Sequence, residues 1–451
     1  MAPTLTESSS RPTGWRCAIR ALRVRNYRLF AFGNLVSVTG TWMQLIAQNW
    51  LVLRLTGSTT ALGITVALQS IPCVVLSLYG GAIADRFPKR RLLTATQTSL
   101  AALAALLGAL VVTGVVEVWM VYALAVAVGC VSAVDVPTAS AFGTELVTAE
   151  DLSNAAALGS ATNSTGRILG MAAAGVAVAS VGVAPVFFAN AASYLAVVVA
   201  LACMRPHELH SAPPARGVEG RIRHAVRALR REPVVLGALA LAFVAAAFGR
   251  NYQVTMAAMS SAVFHRGAAG YGMASTVFAI GAFAGALLAA RLPRLGLRLL
   301  FTTACIAGVL EMLAASTPGI DAFAACILPI AITAVVIDTT VGVVVALHVD
   351  AGVRGRALAL LAVTSTAGTT VGGPMLGWSA QHLGARASLL AGGAVCVVAT
   401  VAIGVAVARR HAGAHADQTG VVRLATRIPA IRWRRPEPGA RLPRLGLDDA
   451  A

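Results

Sequence analysis

The feature that most constrains this chain is a repeating one: apolar stretches of about 20 residues, separated by short polar or glycine-containing breaks. A helix of that length crosses the hydrocarbon core of a bilayer. The ruler marks Leu29–Val52, Thr60–Ala84, Leu93–Gly114, Trp119–Phe142, Asn154–Val181 and Val183–Met204. After a polar break it marks Val234–Ser260, Gly270–Ala290, Leu297–Ser316, Ala322–Leu347, Ala357–Gln381 and Arg386–Ala408. Charged residues make up 12% of the chain and hydrophobic ones 57%. A water-exposed domain carries about 25% charge, so most of this length must face lipid or other helices. The expected fold is all-α and integral to the membrane, with twelve transmembrane helices in two pseudo-symmetric six-helix bundles.

The same ruler divides the chain. Residues 1–28 are a basic N-terminal segment, 29–204 the first bundle, 205–233 a linker, 234–408 the second bundle, and 409–451 a basic tail. The linker ends in Arg221, Arg223, Arg227, Arg230 and Arg231 at roughly helical spacing. That pattern fits an amphipathic helix on an anionic leaflet and equally a solvated linker. The tail is rich in Arg and Pro and is expected to be disordered or to lie on the membrane surface.

Orientation follows from the distribution of Arg and Lys. The loops and tails on the side of the termini hold 31 of these residues, and the opposite side holds only Arg54, Arg266 and Arg386. Both termini are therefore expected in the cytoplasm, with the protein multi-pass in the inner (plasma) membrane. This placement accounts for the net charge of +18 without a nucleic-acid partner. No CxxC occurs among the seven Cys and no His stands beside them at ligand spacing, so neither a disulfide nor a metal is expected. The basic stretch Arg11–Arg28 lacks an apolar core and a small-residue cleavage site and reads as a cytoplasmic lead-in, not a cleaved signal.

Internal repetition links the halves. Asp135 in the fourth span and Asp338 in the tenth each interrupt an apolar run, and loops of similar length follow, Glu145–Asp151 and Asp350–Arg356. The fifth span carries Gly170 and Gly175, the eleventh Gly373, Pro374 and Gly377, in matching helix-packing patterns. Parallel six-helix repeats are a known transporter plan.

The loop joining the second and third spans reads Gly80-Gly81-Ala82-Ile83-Ala84-Asp85-Arg86-Phe87-Pro88-Lys89-Arg90-Arg91. Gly81 is expected to let the helix end pack closely, and Asp85 sets a carboxylate at the cytoplasmic mouth. The loop resembles the signature of the major facilitator superfamily, roughly G-x-x-x-D-R-x-G-R-R, with Pro88 in place of the second Gly. The stretch from Asn26 to Ser58, Asp135-Val136-Pro137 and Gly166-Arg167-Ile168-Leu169-Gly170 resemble the drug-and-siderophore efflux branch, of enterobactin-exporter and macrolide-efflux type. That branch usually has Gly-Pro on the fifth helix. Met171 stands where that Pro would be, a departure that bears on the direction of transport and not on the fold. The resemblance implies the major facilitator fold and a monomeric, proton-coupled exporter of a small amphipathic compound. It implies a gate in which Asp85 caps the helix start near Gly355-Arg356-Ala357 while Lys89 or Arg90 meets Glu145. Both contacts are expected only when the cytoplasmic side is closed.

Charges inside a membrane cost about 2.5–3.5 kcal/mol each on insertion scales and mark function by default. Asp135, Arg167, Arg250 and Asp338 qualify; Glu311 lies nearer the outer end of its span and is weaker. An Asp135–Arg167 ion pair is the natural expectation, either as a proton-coupling site, with Asp338 its counterpart, or as a permanent clamp. The first span carries Asn34, Ser37, Thr41, Gln44 and Gln48 at helical spacing. With Arg250 this row is a candidate cavity wall; hydrogen bonding between helices is the alternative. There is no phosphate-binding G-x-x-x-x-G-K, no H-E-x-x-H and no G-x-S-x-G, so nothing supports enzymatic chemistry or a cofactor. Energy is expected from a proton gradient, and the partners are small-molecule substrate, protons and lipid. An importer or uniporter of the same fold is the nearest rival; a membrane-embedded enzyme or a transport-dead sensor is more remote.

Overall fold

The computed structural model describes residues 20–208, 232–249, 251–292, 295–349 and 351–425. Among them are twelve long helices and no strand. In chain order they are α1 (Arg25–Thr56), α2 (Thr59–Arg86), α3 (Lys89–Val112), α4 (Val118–Glu145), α5 (Leu152–Val181) and α6 (Val183–Ala202). The second set is α7 (Pro233–Val263), α8 (Gly267–Arg291), α9 (Leu297–Ala315), α10 (Ile320–Leu347), α11 (Ala351–His382) and α12 (Ala385–Ala425). Eleven are long and apolar enough to cross a membrane. The exception, α11, carries the polar run Thr364, Ser365, Thr366, Thr369 and Thr370. Large apolar side chains such as Phe32, Tyr79, Val176, Leu347 and Val398 are exposed, as a lipid-facing surface requires.

Turn chemistry sets the first reversal. Gly57 closes α1 at φ +62° with its N–H on the Leu53 carbonyl, and the Ser58 hydroxyl then accepts from the Ala61 N–H to start α2. Left-handed backbone favours Gly, and Ser is a strong N-cap.

The two halves pack alike. In the first, α2 lies on α4, α3 on α6, and α1 on α5 and α6; in the second, α8 lies on α10, α9 on α12, and α7 on α11 and α12. Between halves, α2 meets α11 and α5 meets α8. Small residues permit these approaches, because lipid supplies no hydrophobic drive between helices. Gly80 faces the Ala133 backbone of α4, and Gly281 and Gly285 face Leu328 and Ile332 of α10.

Two expectations are corrected here. Gly81 packs against nothing, since a Cβ there would meet open space; its neighbour Gly80 makes the close approach. Helical rotation of about 100° per residue turns one glycine onto α4 and the next away. The tail, expected from 409 to be disordered or to lie on the membrane surface, continues α12 as helix as far as Ala425. Ala and Arg are good helix formers, and no Pro follows Arg409 until Pro429. The basic lead-in is ordered from Arg20: a short turn, Arg20–Arg23, buries Ala21, whose N–H donates to the Asn154 side chain at 2.9 Å. Most of the linker, 209–231, lies outside the described residues, as does 426–451.

Candidate functional site

An even number of antiparallel helices brings the outer limits of both bundles to one face, called here the termini face. The close contacts between the halves gather at the opposite, outer face. At the start of α2, the Thr59 hydroxyl donates to the Gly377 carbonyl of α11 at 2.8 Å, and its N–H donates to Gln381 at 3.0 Å. One turn on, Gly63 abuts the backbone of Gly373 and Pro374 so tightly that a Cβ would overlap it. Across the molecule Gly175 of α5 and Gly272 of α8 meet backbone to backbone. Asn49 of α1 donates to Gln253 of α7 at 3.1 Å, and Trp50 stacks on the buried Tyr271 ring with centroids 6.4 Å apart. Gly170 works within the first half, against Thr39 and Trp42 of α1.

At the termini face the signature loop stands differently. Asp85 and Arg86 are exposed, and Asp85 forms no hydrogen bond or ion pair with any described residue. It does not cap α11. Lys89 binds Glu145 at 2.6 Å, with both side chains largely buried. Arg90 turns instead to the Ala202 carbonyl at the end of α6, at 3.3 Å. The Lys89–Glu145 pair therefore exists without an Asp85 cap, which corrects the expectation that the two form together. Lys89 opens α3 and Glu145 closes α4, so the pair belongs wholly to one half and need not break as the halves move. Arg356 is half-buried near the start of α11.

Between these ends lies a polar network. Asp135 of α4 is half-buried and accepts from the Thr96 hydroxyl at 2.5 Å and from the Gln97 amide at 3.0 Å to each oxygen. No ion pair joins it to Arg167, contrary to expectation. Arg167 instead lies over the Trp42 ring, 5.9 Å from its centroid, a cation–π distance. Neutral donors on α3, one helix away, satisfy the carboxylate. The sequence concealed them because Thr96 and Gln97 sit in an otherwise ordinary apolar span.

The polar row of α1 joins the same interior. Ser37 approaches Gln97 at 3.5 Å, Thr41 bonds the Tyr194 hydroxyl at 3.0 Å, and Gln44 accepts from Asn190 at 2.7 Å. These three side chains bond to α3 and α6, so they act between helices and not as a free cavity wall. Gln48 is buried further along and Asn34 is half-buried. Asp338 is half-buried on α10. Arg250 lies outside the described residues. Among the described residues no cluster of His, Cys, Asp or Glu could hold a metal ion.

The fold as a whole is shared with solved structures. Residues 17–425 match the family described as transmembrane secretion effectors. A staphyloferrin A transporter of Staphylococcus aureus is 29% identical over 169 residues, which is 37% of this chain and 42% of that one. The match thus spans less than half of that relative. A bacterial homologue of the human lysosomal transporter Spinster, inward-facing and occupied, superposes with TM-score 0.64 at 16% identity over 85% of this chain and 97% of its own. The nucleoside transporter NupG gives 0.68 at 12% over 84% and 98%, and the POT family transporter PepTSo 0.64 at 12% over 86% and 98%. This chain is a membrane transporter of the major facilitator superfamily and belongs to its transmembrane secretion effector family.

Proposed function

We propose that this transporter exports a small amphipathic organic compound, of drug, siderophore or secondary-metabolite type, in exchange for protons by alternating access. The observation that carries the reading is the one-sided seam. Thr59–Gly377, Gly63–Gly373, Gly175–Gly272 and Asn49–Gln253 close the outer face, while Asp85 stands unpaired at the termini face. With the termini in the cytoplasm, as the basic loops favour, this is the inward-open state of a rocking pair of bundles. The opposite state would open the seam and bring Asp85 to the start of α11, where a helix N-terminus favours an anion.

Asp135 is the coupling residue in this reading. It is half-buried and held by Thr96 and Gln97, so proton uptake would exchange those hydrogen bonds for a covalent proton. Kinship with a staphyloferrin A transporter supports a small molecule as cargo, and the transmembrane secretion effector family supports its export.

The test uses inverted membrane vesicles with an acid lumen, offered enterobactin, staphyloferrin A, a macrolide or ethidium. At least one should accumulate, and an uncoupler should abolish its accumulation. Asp135→Asn should bind that probe as the parent does and fail to concentrate it. Equal accumulation with and without the gradient would refute antiport in favour of uniport. Normal pumping by Asp135→Asn would make Asp135 structural.

A further inference from the structure

The second half holds a carboxyl group that this reading does not use. Glu311 of α9 is 2% exposed, and among the described residues neither of its oxygens has a hydrogen-bond partner. Asp135, by contrast, is met by two side chains. A charge left bare in such a place is strongly unfavourable, so something must neutralise it. Beside Glu311 is a cavity of about 20 Å³, lined also by Gly249 and Tyr252 of α7, Ala334 and Ile337 of α10, and Cys396 and Thr400 of α12. That space accepts roughly one water molecule. A hard metal cation calls for about six oxygen ligands, whereas the side chains here offer the two Glu311 oxygens and the hydroxyls of Tyr252 and Thr400. The Thr400 hydroxyl is already given to the Cys396 carbonyl at 2.6 Å. The titratable groups facing Glu311 are Tyr252 from α7 and Cys396 from α12. From α10 come only Ala334 and Ile337, and among the described residues no cationic side chain lines the cavity.

A second observation ties this cavity to the moving parts. Where α7 passes Glu311 it leaves α-helical geometry for a π-helical turn, Ala245–Gly249, a distortion that occurs often at functional sites. The Asn251 amide holds the turn by donating to the Ala246 and Ala247 carbonyls at 3.0 and 2.9 Å. Gly249 sits so near that an added Cβ would stand 3.4 Å from the Glu311 carboxylate and 3.1 Å from the Cys396 sulfur. The other side of the same turn, at Ala247, abuts Gly372 of α11, whose neighbour Gly373 forms the outer seam with Gly63.

We infer that Glu311, with one water in its cavity, is a second proton-binding site, and that its occupancy sets the π-turn of α7 and through α11 the closure of the outer seam. The neutral acid and that single water fit the small cavity with the turn as seen. Loss of the proton leaves a carboxylate that must draw in water or donors, and the π-turn between Glu311 and Gly372 is the element free to rearrange. The site lies four residues, about 6 Å of helix rise, from the outer end of α9.

The inference rests on the transport reading only for its purpose, so the test needs no substrate. Infrared spectra of the purified full chain in lipid nanodiscs are recorded across a pH titration for the parent, Glu311→Gln and Asp135→Asn. A protonated-carboxyl band is expected in the parent, absent in Glu311→Gln and retained in Asp135→Asn. Spin labels across the outer face should show a pH-dependent open fraction that falls severalfold in Glu311→Gln. A spectrum without a Glu311-dependent carboxyl band at any pH overturns the inference. So does a band displaced by sodium ions, which would make the site cationic, or an open fraction whose pH response survives in Glu311→Gln. Both signals present in a protein that fails to pump any probe with a gradient would retire the export reading alone.

Discussion

Replacing Gly175 by Val should prop open the outer seam. A Cβ at Gly175 would lie 2.6 Å from the Cα and carbonyl oxygen of Gly272. Carbon contacts settle at about 3.5–4.0 Å, so α5 and α8 must part by about 1 Å before the γ-carbons are counted. Tyr271 precedes Gly272 and stacks on Trp50, so that stack loosens with them. The Asn49–Gln253 bond at 3.1 Å would stretch to about 4 Å, beyond hydrogen-bond reach. Overpacking costs about 1–3 kcal/mol and a lost hydrogen bond about 1 kcal/mol. The penalty of about 2–4 kcal/mol falls on the closed-outer state alone, which shifts the equilibrium by at least tenfold, since about 1.4 kcal/mol is a factor of ten. Spin labels at the exposed positions Thr113 and Ser316 report the outer face, and labels at Thr148 and Arg298 the termini face, in a background lacking the seven cysteines. The outer distance should lengthen, the termini-face distance shorten, and transport fall by an order of magnitude. Unchanged distances in Gly175→Val would refute the claim that this contact closes the outer face.

The adjacent glycines of the signature loop should separate cleanly. Gly81→Ala meets open space and should leave thermal stability within about 0.5 kcal/mol, whereas Gly80→Ala drives a methyl into the Ala133 carbonyl and should lower yield and melting temperature; equal effects would contradict this packing. Lys89→Met strands Glu145 in a largely buried place and should destabilise the purified protein by about 1–3 kcal/mol. Adding Glu145→Gln should recover much of that loss, and a double mutant no better than the single one would argue against the pair. Asp85→Asn should cut transport while leaving expression near normal, since Asp85 bonds no described residue in this state; full activity in that variant would remove its gate role.

Much of this protein is written along the chain. Twelve stretches of bilayer length, punctuated by Gly57-Ser58, Lys89 and similar boundaries, define the helices, because the backbone polar groups of a chain in lipid can be satisfied only within a helix. The asymmetric spread of Arg favours an orientation, and the repetition of Asp135 in Asp338 and of Gly175 in Gly377 conveys two related halves. Which side chains meet was not legible, because a helical span allows each polar residue several neighbours and rotation about the axis decides among them. That rotation gave Asp135 to Thr96 and Gln97 and Arg167 to Trp42, set Gly80 and not Gly81 against α4, and turned Ser37, Thr41 and Gln44 onto α3 and α6. Glu311 shows the limit most sharply: in sequence it is one acid near the end of an apolar span. Only the packing of α7, α10 and α12 around α9 strips its carboxyl of partners, because burial and hydrogen bonding are properties of the assembled bundle.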